Sequence, residues 1–280
     1  MFFSIFQVLK RTGTSYVEND GLSRGAAIAF YTVTSIAPVL LIVVAIAGLA
    51  IGHDAARGAL VDQLSGLLGN QAAELLQSLL ANAASPASGV LASVIGFATL
   101  IATASGVFGE MQAALNKIWH AKPKQGTVSR LVRARATSIG LVAAMGFFML
   151  ASLAASAAVT AFTARLNSLL PFGGALATIL NFVVSLVLIS ALFAVIYKAL
   201  PDVDIAWRDV VVGALVTGFL FNVGKFLIGW YIGSSAVAST YGAAGGLIIL
   251  MLWVYYSAQI LLIGAQLTYV ISSGSRSAEA

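Results

Sequence analysis

This chain of 280 residues is 60% hydrophobic and 9% charged, with no cysteine and two histidines. An ordinary soluble domain carries about 25% charged residues, so a composition this apolar, with a mean hydropathy of +0.97, excludes a water-soluble globule. The missing thiols exclude disulfides and thiolate metal sites, and His53 and His120 alone leave little material for a metallo-enzyme.

The N-terminal residues Phe2, Phe3, Ile5, Phe6 and Leu9, followed by Lys10 and Arg11, suggest a helix lying on the inner membrane leaflet. From Gly25 to Gly52 there is no charged residue. A bilayer core of about 30 Å takes roughly 20 apolar residues as a helix, so a first span is expected over 25–52. That run is too long, and starts too late, for a cleaved signal sequence, and the expectation is an uncleaved anchor.

The next segment, 53–88, has Leu60, Leu64, Leu67 and Leu68 at helical spacing, then Leu75, Leu76, Leu79, Leu80 and Ala83. Gly69–Asn70 divides the two sets and Ser85–Pro86 ends the second. This pattern predicts an amphipathic helical hairpin at the outer interface, either packed on the bundle or capping a cavity. A second span follows at 89–111.

The stretch 112–135 holds Lys117, Lys122, Lys124, Arg130, Arg133 and Arg135 and no acid. Such a loop marks the cytoplasmic side. Four more spans are expected at 136–161, 175–199, 209–231 and 243–271. The fold class is then all-α: a polytopic membrane bundle of six transmembrane helices in a single integral membrane domain, residues 1–280, with a tail at 272–280. Lys10, Arg11 and Arg24 fall on the same side as the basic loop. Both termini are therefore expected in the cytoplasm. The net charge of +5 reads as this topology signal, with a contact to anionic headgroups, and no nucleic-acid partner is expected.

Polar groups inside spans are costly and usually face the bundle interior or a wet cavity. Arg24, Tyr31, Ser35 and Pro38 share one face of the first span, and Pro38 removes a backbone donor and predicts a bend. Thr99, Thr103, Gly106 and Glu110 share a face of the second, Asn181 and Ser185 of the fourth. Gly218, Asn222, Lys225 and Gly229 line up on the fifth, and Tyr255, Gln259 and Gln266 on the sixth. One polar stripe per helix suggests a polar cavity; the plainer reading is hydrogen-bond glue between helices. Arg24 and Glu110, at the cytoplasmic ends of their helices, make a candidate inner ion pair or gate; the plainer reading is two headgroup-level side chains. Lys225 either snorkels to the outer interface or faces the cavity and holds an anionic headgroup. The charge-free segment YIGSSAVASTYGAAGG (231–246) leads into the last helix, whose N-terminus adds free N–H groups beside Lys225 for an anion near the outer face; the plainer reading is that Gly242, Gly245 and Gly246 allow close helix packing. The candidate binding residues are Lys225, Asn222, Tyr231, Ser239, Tyr241, Gln259, Tyr31 and Ser35.

Three stretches carry a family resemblance: DGLSRGAAIAFYTVTSIAPVLL (20–41), ATASGVFGEMQAALNKIW (102–119) and GKFLIGWYIGSSAVASTYGAAGGLIILMLWVYYSAQILLIGAQLT (224–268). The chain resembles the YihY/virulence factor BrkB family over nearly its whole length. The resemblance implies a bacterial inner-membrane protein with six spans. It also implies a transport role of the kind suggested for that family, for lipids or lipid-linked envelope components. The ribonuclease BN label that some members carry is widely considered a misannotation. Matching positions are Arg24, Tyr31 and Pro38, then Asn116 and Trp119. In the last motif they are Lys225, Tyr231, Ser239, Tyr241, Gly242, Trp253, Tyr255, Tyr256 and Gln259. Many relatives have Glu where this chain has Gln266, so any carboxylate role there is absent here.

The expected function is a transporter or lipid-handling protein, with membrane lipids as partners and an anionic or lipid-linked envelope component as cargo. The alternative is a non-catalytic envelope assembly or structural factor. No catalytic residue, metal or cofactor is expected: no phosphate-binding loop of the GxxxxGK[ST] type occurs, and the two histidines fall on opposite sides of the membrane. Small residues such as Ser152/Ser156 and Ala154/Ala158 permit a homo-oligomer and equally permit packing within one chain.

Overall fold

The computed structural model describes residues 5–68, 70–84, 106–121, 140, 144, 146–162, 173–234 and 243–279. Among them there is no strand. The helices are α1 (Ile5–Glu18), α2 (Gly21–Ile51), α3 (His53–Leu68), α4 (Asn70–Ala84), α5 (106–118), α6 (Gly146–Phe162), α7 (Gly173–Ala199), α8 (Trp207–Ser234) and α9 (Ala243–Glu279). Three described helices are long and apolar enough to cross a membrane: Thr178–Ala199, Trp207–Ile228 and Gly245–Ser273. The bent pair Gly21–Ala37 and Val39–Ile51 makes a fourth if it is one span. Its 52° bend falls at Pro38, where the sequence removes a backbone donor. Most of the expected second span, 89–105, and the start of the third lie outside the described residues, as does 122–135 of the basic loop.

Two helices run beyond their expected limits. α5 continues to residue 118, so 112–118 is helix rather than loop. It ends where His120 takes a left-handed φ of 50°. The Ala121 N–H then bonds to the Asn116 carbonyl at 2.8 Å and the His120 N–H to that of Lys117 at 3.2 Å, the Schellman arrangement that satisfies the last carbonyls of a helix. α9 continues to Glu279, through most of the expected tail.

The 37-residue α9 is the hub of the bundle. It packs against α1, α2, α4 and α8, while α7 packs along α8. The hairpin α3–α4 is folded into this core rather than lying flat: Ala56, Leu60, Leu76 and Leu80 are buried, and α4 touches both α2 and α9. α1 packs on α9 with Phe6, Leu9 and Val17 turned outward.

A single joint ties α7, α8 and α9 together. The buried Tyr197 hydroxyl donates to the Leu261 carbonyl at 2.8 Å and lies 3.0 Å from Thr217 Oγ1. The close approach depends on Gly264, where a methyl group would overlap the Thr217 hydroxyl. On the outward side of α8, Val212, Leu215, Phe219, Val223, Phe226 and Trp230 form an exposed apolar stripe at helical spacing. That is the face a spanning helix turns to lipid.

Candidate functional site

α7 and α8 run antiparallel. Ser185 Oγ donates to Asn222 Oδ1 at 2.9 Å, and the Phe193 and Phe221 rings lie 5.9 Å apart. This register brings Asn181 level with Lys225, and both line a cavity of about 450 Å³. α7 and α8 contribute Asn181, Ser185, Phe221 and Lys225 to its wall, and α6 contributes Phe148, Ser152 and Ser156. The hairpin adds Asp62 and Gln63 from α3. Val184, Leu188, Ile189, Leu192 and Phe193 complete the α7 side.

Lys225 is half-buried, with its Nζ 5.5 Å from the centroid of the Phe226 ring. Among the described residues neither Lys225 nor Asp62 has an ion-pair partner. Taking a charge out of water costs free energy unless it is paired or hydrogen-bonded. A half-buried, unpaired ammonium facing a cavity is therefore a group that an anionic ligand would stabilise. Asn222 is buried behind this wall, accepting from Ser185 and donating to the Gly218 carbonyl at 3.0 Å. It holds helices together and does not line the cavity.

Eighteen residues separate Trp207 from Lys225, about 27 Å along α8. At the Trp207 end a different polar set gathers around α5. Arg24 Nη1 and Glu110 Oε1 lie 3.6 Å apart, both partly buried. Lys117 pairs with Asp20 at the α1–α2 break. Asn116 makes a two-way bond with Asp202: its Nδ2 donates to the carboxylate at 2.8 Å and its Oδ1 accepts from the Asp202 N–H at 2.8 Å. Gln112 Nε2 donates to the Leu200 carbonyl at 3.0 Å. α5 thus fastens the start of α2 to the α7–α8 turn. The hydrogen bond from Lys117 and its charge hold the Asp20 carboxyl below the usual carboxylate range.

The structure separates the residues that the sequence grouped as one binding site. Gln259 turns toward α1 and α2, accepting from the Tyr16 hydroxyl and donating to the Leu22 carbonyl at 3.3 Å. Burial, and then the proximity of Tyr255, push the Tyr16 hydroxyl up to about 12, so it stays a donor. Tyr31 lies beside Gly106 of α5 and Ser35 is fully buried in α2. Tyr231 is half-exposed, near the end of α8. None of these four lines the Lys225 cavity. Ser239 and Tyr241 lie outside the described residues. The face-sharing argument does hold between α2 and α5, where Arg24 meets Glu110 and Tyr31 meets Gly106.

The sequence reading missed Asp62 and Gln63 in the cavity wall and Asp202 at the α5 fastening. It gives Ser152 and Ser156 only as small residues that permit a homo-oligomer or packing within one chain. Their i, i+4 spacing was the available signal for a hydroxyl-bearing wall. Among the described residues no group of three metal-ligating side chains occurs. His53 sits against Gly48 at the far end of α2, while His120 meets Tyr269 edge to face, their ring centroids 5.4 Å apart, at the α5 end.

The family model for virulence factor BrkB matches residues 12–280. The chain belongs to the virulence factor BrkB family. A UPF0761 membrane protein of Mannheimia succiniciproducens is 26% identical over 91% of this chain and 86% of its own length. UPF0761 membrane proteins of Rhodospirillum centenum and Ralstonia nicotianae are 26% and 29% identical over 93% and 92% of this chain. The chain spans 56% and 57% of those two relatives. The names place these relatives in a membrane and state no activity. No solved structure matches the chain. In this BrkB family member Gln266 is fully buried and its Oε1 accepts from Asn19 Nδ2 at 3.0 Å. At that position it ties α9 to the α1–α2 junction.

Proposed function

We propose that this BrkB family protein is a multi-pass inner-membrane protein that handles an amphiphilic or lipid-linked envelope component through the Lys225 cavity. Both termini are cytoplasmic in this reading, and the Arg24–Glu110 end is the inner closure. The observation that carries it is the cavity itself: about 450 Å³, walled by polar and apolar side chains from α3, α6, α7 and α8, with an ammonium that has no ion-pair partner among the described residues. Hydrogen-bond glue accounts for Ser185 and Asn222, which satisfy one another, and leaves the charges of Lys225 and Asp62 without an ion-pair partner among the described residues.

The deciding experiment is native mass spectrometry of the full chain extracted with its surrounding lipid, comparing wild type with Lys225→Ala. Wild type is expected to retain a selected amphiphile that the variant loses. If neither form retains one, the cavity reading fails and a non-catalytic assembly or structural role takes its place.

A further inference from the structure

We propose that the Lys225 cavity takes a zwitterionic amphiphile, whose headgroup carries both a phosphate and a primary ammonium and whose hydrocarbon lies along the apolar wall of α7. The inference rests on the cargo-handling reading above and names the chemistry of that cargo.

Both signs of charge face one space. Lys225 of α8, half-buried, and Asp62 of α3, exposed, line the same cavity, and α3 touches α8, yet the two are not ion-paired with each other or with any described residue. A net anionic headgroup would satisfy Lys225 and be repelled by Asp62. A headgroup with one charge of each sign satisfies both. The Asp62 carboxylate and the Gln63 side-chain carbonyl are hydrogen-bond acceptors, which suits a primary ammonium with three N–H donors. A trimethylated ammonium has none to give.

Polarity is also graded along the cavity. On α7 the wall carries Asn181, Val184 and Ser185 at one end and is wholly apolar from Leu188 through Ile189, Leu192 and Phe193. The antiparallel α8 repeats the order, with Lys225 at the Asn181 level and Phe221 against Phe193. Two helices running in opposite directions therefore place polar groups at the same end. A small polar solute would have no use for the aromatic end, and a bare hydrocarbon none for the charged end.

The test uses the full chain in detergent, with binding followed by native mass spectrometry. The probes are phosphatidylethanolamine, phosphatidylcholine and phosphatidylglycerol with identical acyl chains, and the water-soluble glycerophosphoethanolamine. Wild type is expected to prefer phosphatidylethanolamine over each other probe by about tenfold or more, since a misplaced like charge or an unmet acceptor weakens the contact. Asp62→Asn is expected to abolish the preference over phosphatidylglycerol, and Lys225→Gln to weaken all three lipids together. Equal or tighter binding of phosphatidylglycerol by wild type overturns the zwitterion while leaving the cargo reading in place. Binding of phosphatidylcholine equal to that of phosphatidylethanolamine overturns the primary ammonium. Binding of glycerophosphoethanolamine as tight as the lipid overturns the amphiphile. Retention of no probe overturns both this inference and the reading it rests on. Should either variant fail to fold, the four probes on wild type decide alone.

Discussion

At the residue scale, each charged group near the bundle has its own surroundings. Arg24 and Glu110 are both partly buried and 3.6 Å apart, between the exposed limit, where a pair contributes little, and the buried limit, where breaking one costs several kcal/mol. Glu110→Gln should lower stability by about 1–2 kcal/mol. A double-mutant cycle with Arg24→Ala, read as thermal unfolding in detergent, should show coupling; strict additivity would mean that the two side chains do not interact. Tyr197 is fully buried and bonded to both α8 and α9, so Tyr197→Phe should cost about 1–2 kcal/mol by the same measurement. The Asp20 carboxyl is held low by Lys117. That contact therefore supports the fold above the ordinary carboxylate pKa and is lost as pH falls through the lowered one. Lys117→Ala should flatten the dependence of melting temperature on pH at the acid end. An unchanged acid limb would show that Asp20 is not held by Lys117.

At the scale of elements, glycine placement separates close approach from open space. Gly264 of α9 sits against the Thr217 and Tyr197 hydroxyls. Gly264→Val overfills this joint and should destabilise by about 1–3 kcal/mol. Gly58 of α3 has nothing within 4 Å of where a methyl group would go. Gly58→Ala should instead stabilise by about 0.5–1 kcal/mol, because alanine loses less backbone entropy in a helix. A melting shift of the same sign for both would contradict the packing described. The hairpin α3–α4 shows what helical spacing conveys and what it leaves open. The leucine pattern predicted two helices, and both are present. Whether they lie on the lipid surface or enter the core depends on partners that are distant in sequence. Leu76 and Leu80 are buried because α4 finds α2 and α9.

At the scale of the whole molecule, the chain offers a clean test of topology because it has no cysteine. Thr14 in α1 and Gln77 in α4 are both exposed. With a membrane-impermeant thiol reagent on intact cells, Gln77→Cys should be labelled directly and Thr14→Cys only after lysis. Labelling of both from outside, or of neither, would overturn the proposed orientation.

Membrane residence, helical class and the helices α2, α7, α8 and α9 were legible in the sequence, and so were the Pro38 bend and the Arg24–Glu110 pairing. These rest on local physics: hydrocarbon demands apolar length, a missing N–H bends a helix, and charges near helix ends seek partners at the same depth. The makeup of the cavity was not legible beyond Lys225 and the Asn181/Ser185 face. Which side of each helix faces which neighbour is decided by the rotation of packed helices, and that depends on contacts between residues far apart in the chain. Tertiary packing turned Gln259 toward Tyr16 and Leu22, away from Lys225. The same packing brought Asp62, from a hairpin some 160 residues earlier, to the cavity that Lys225 lines.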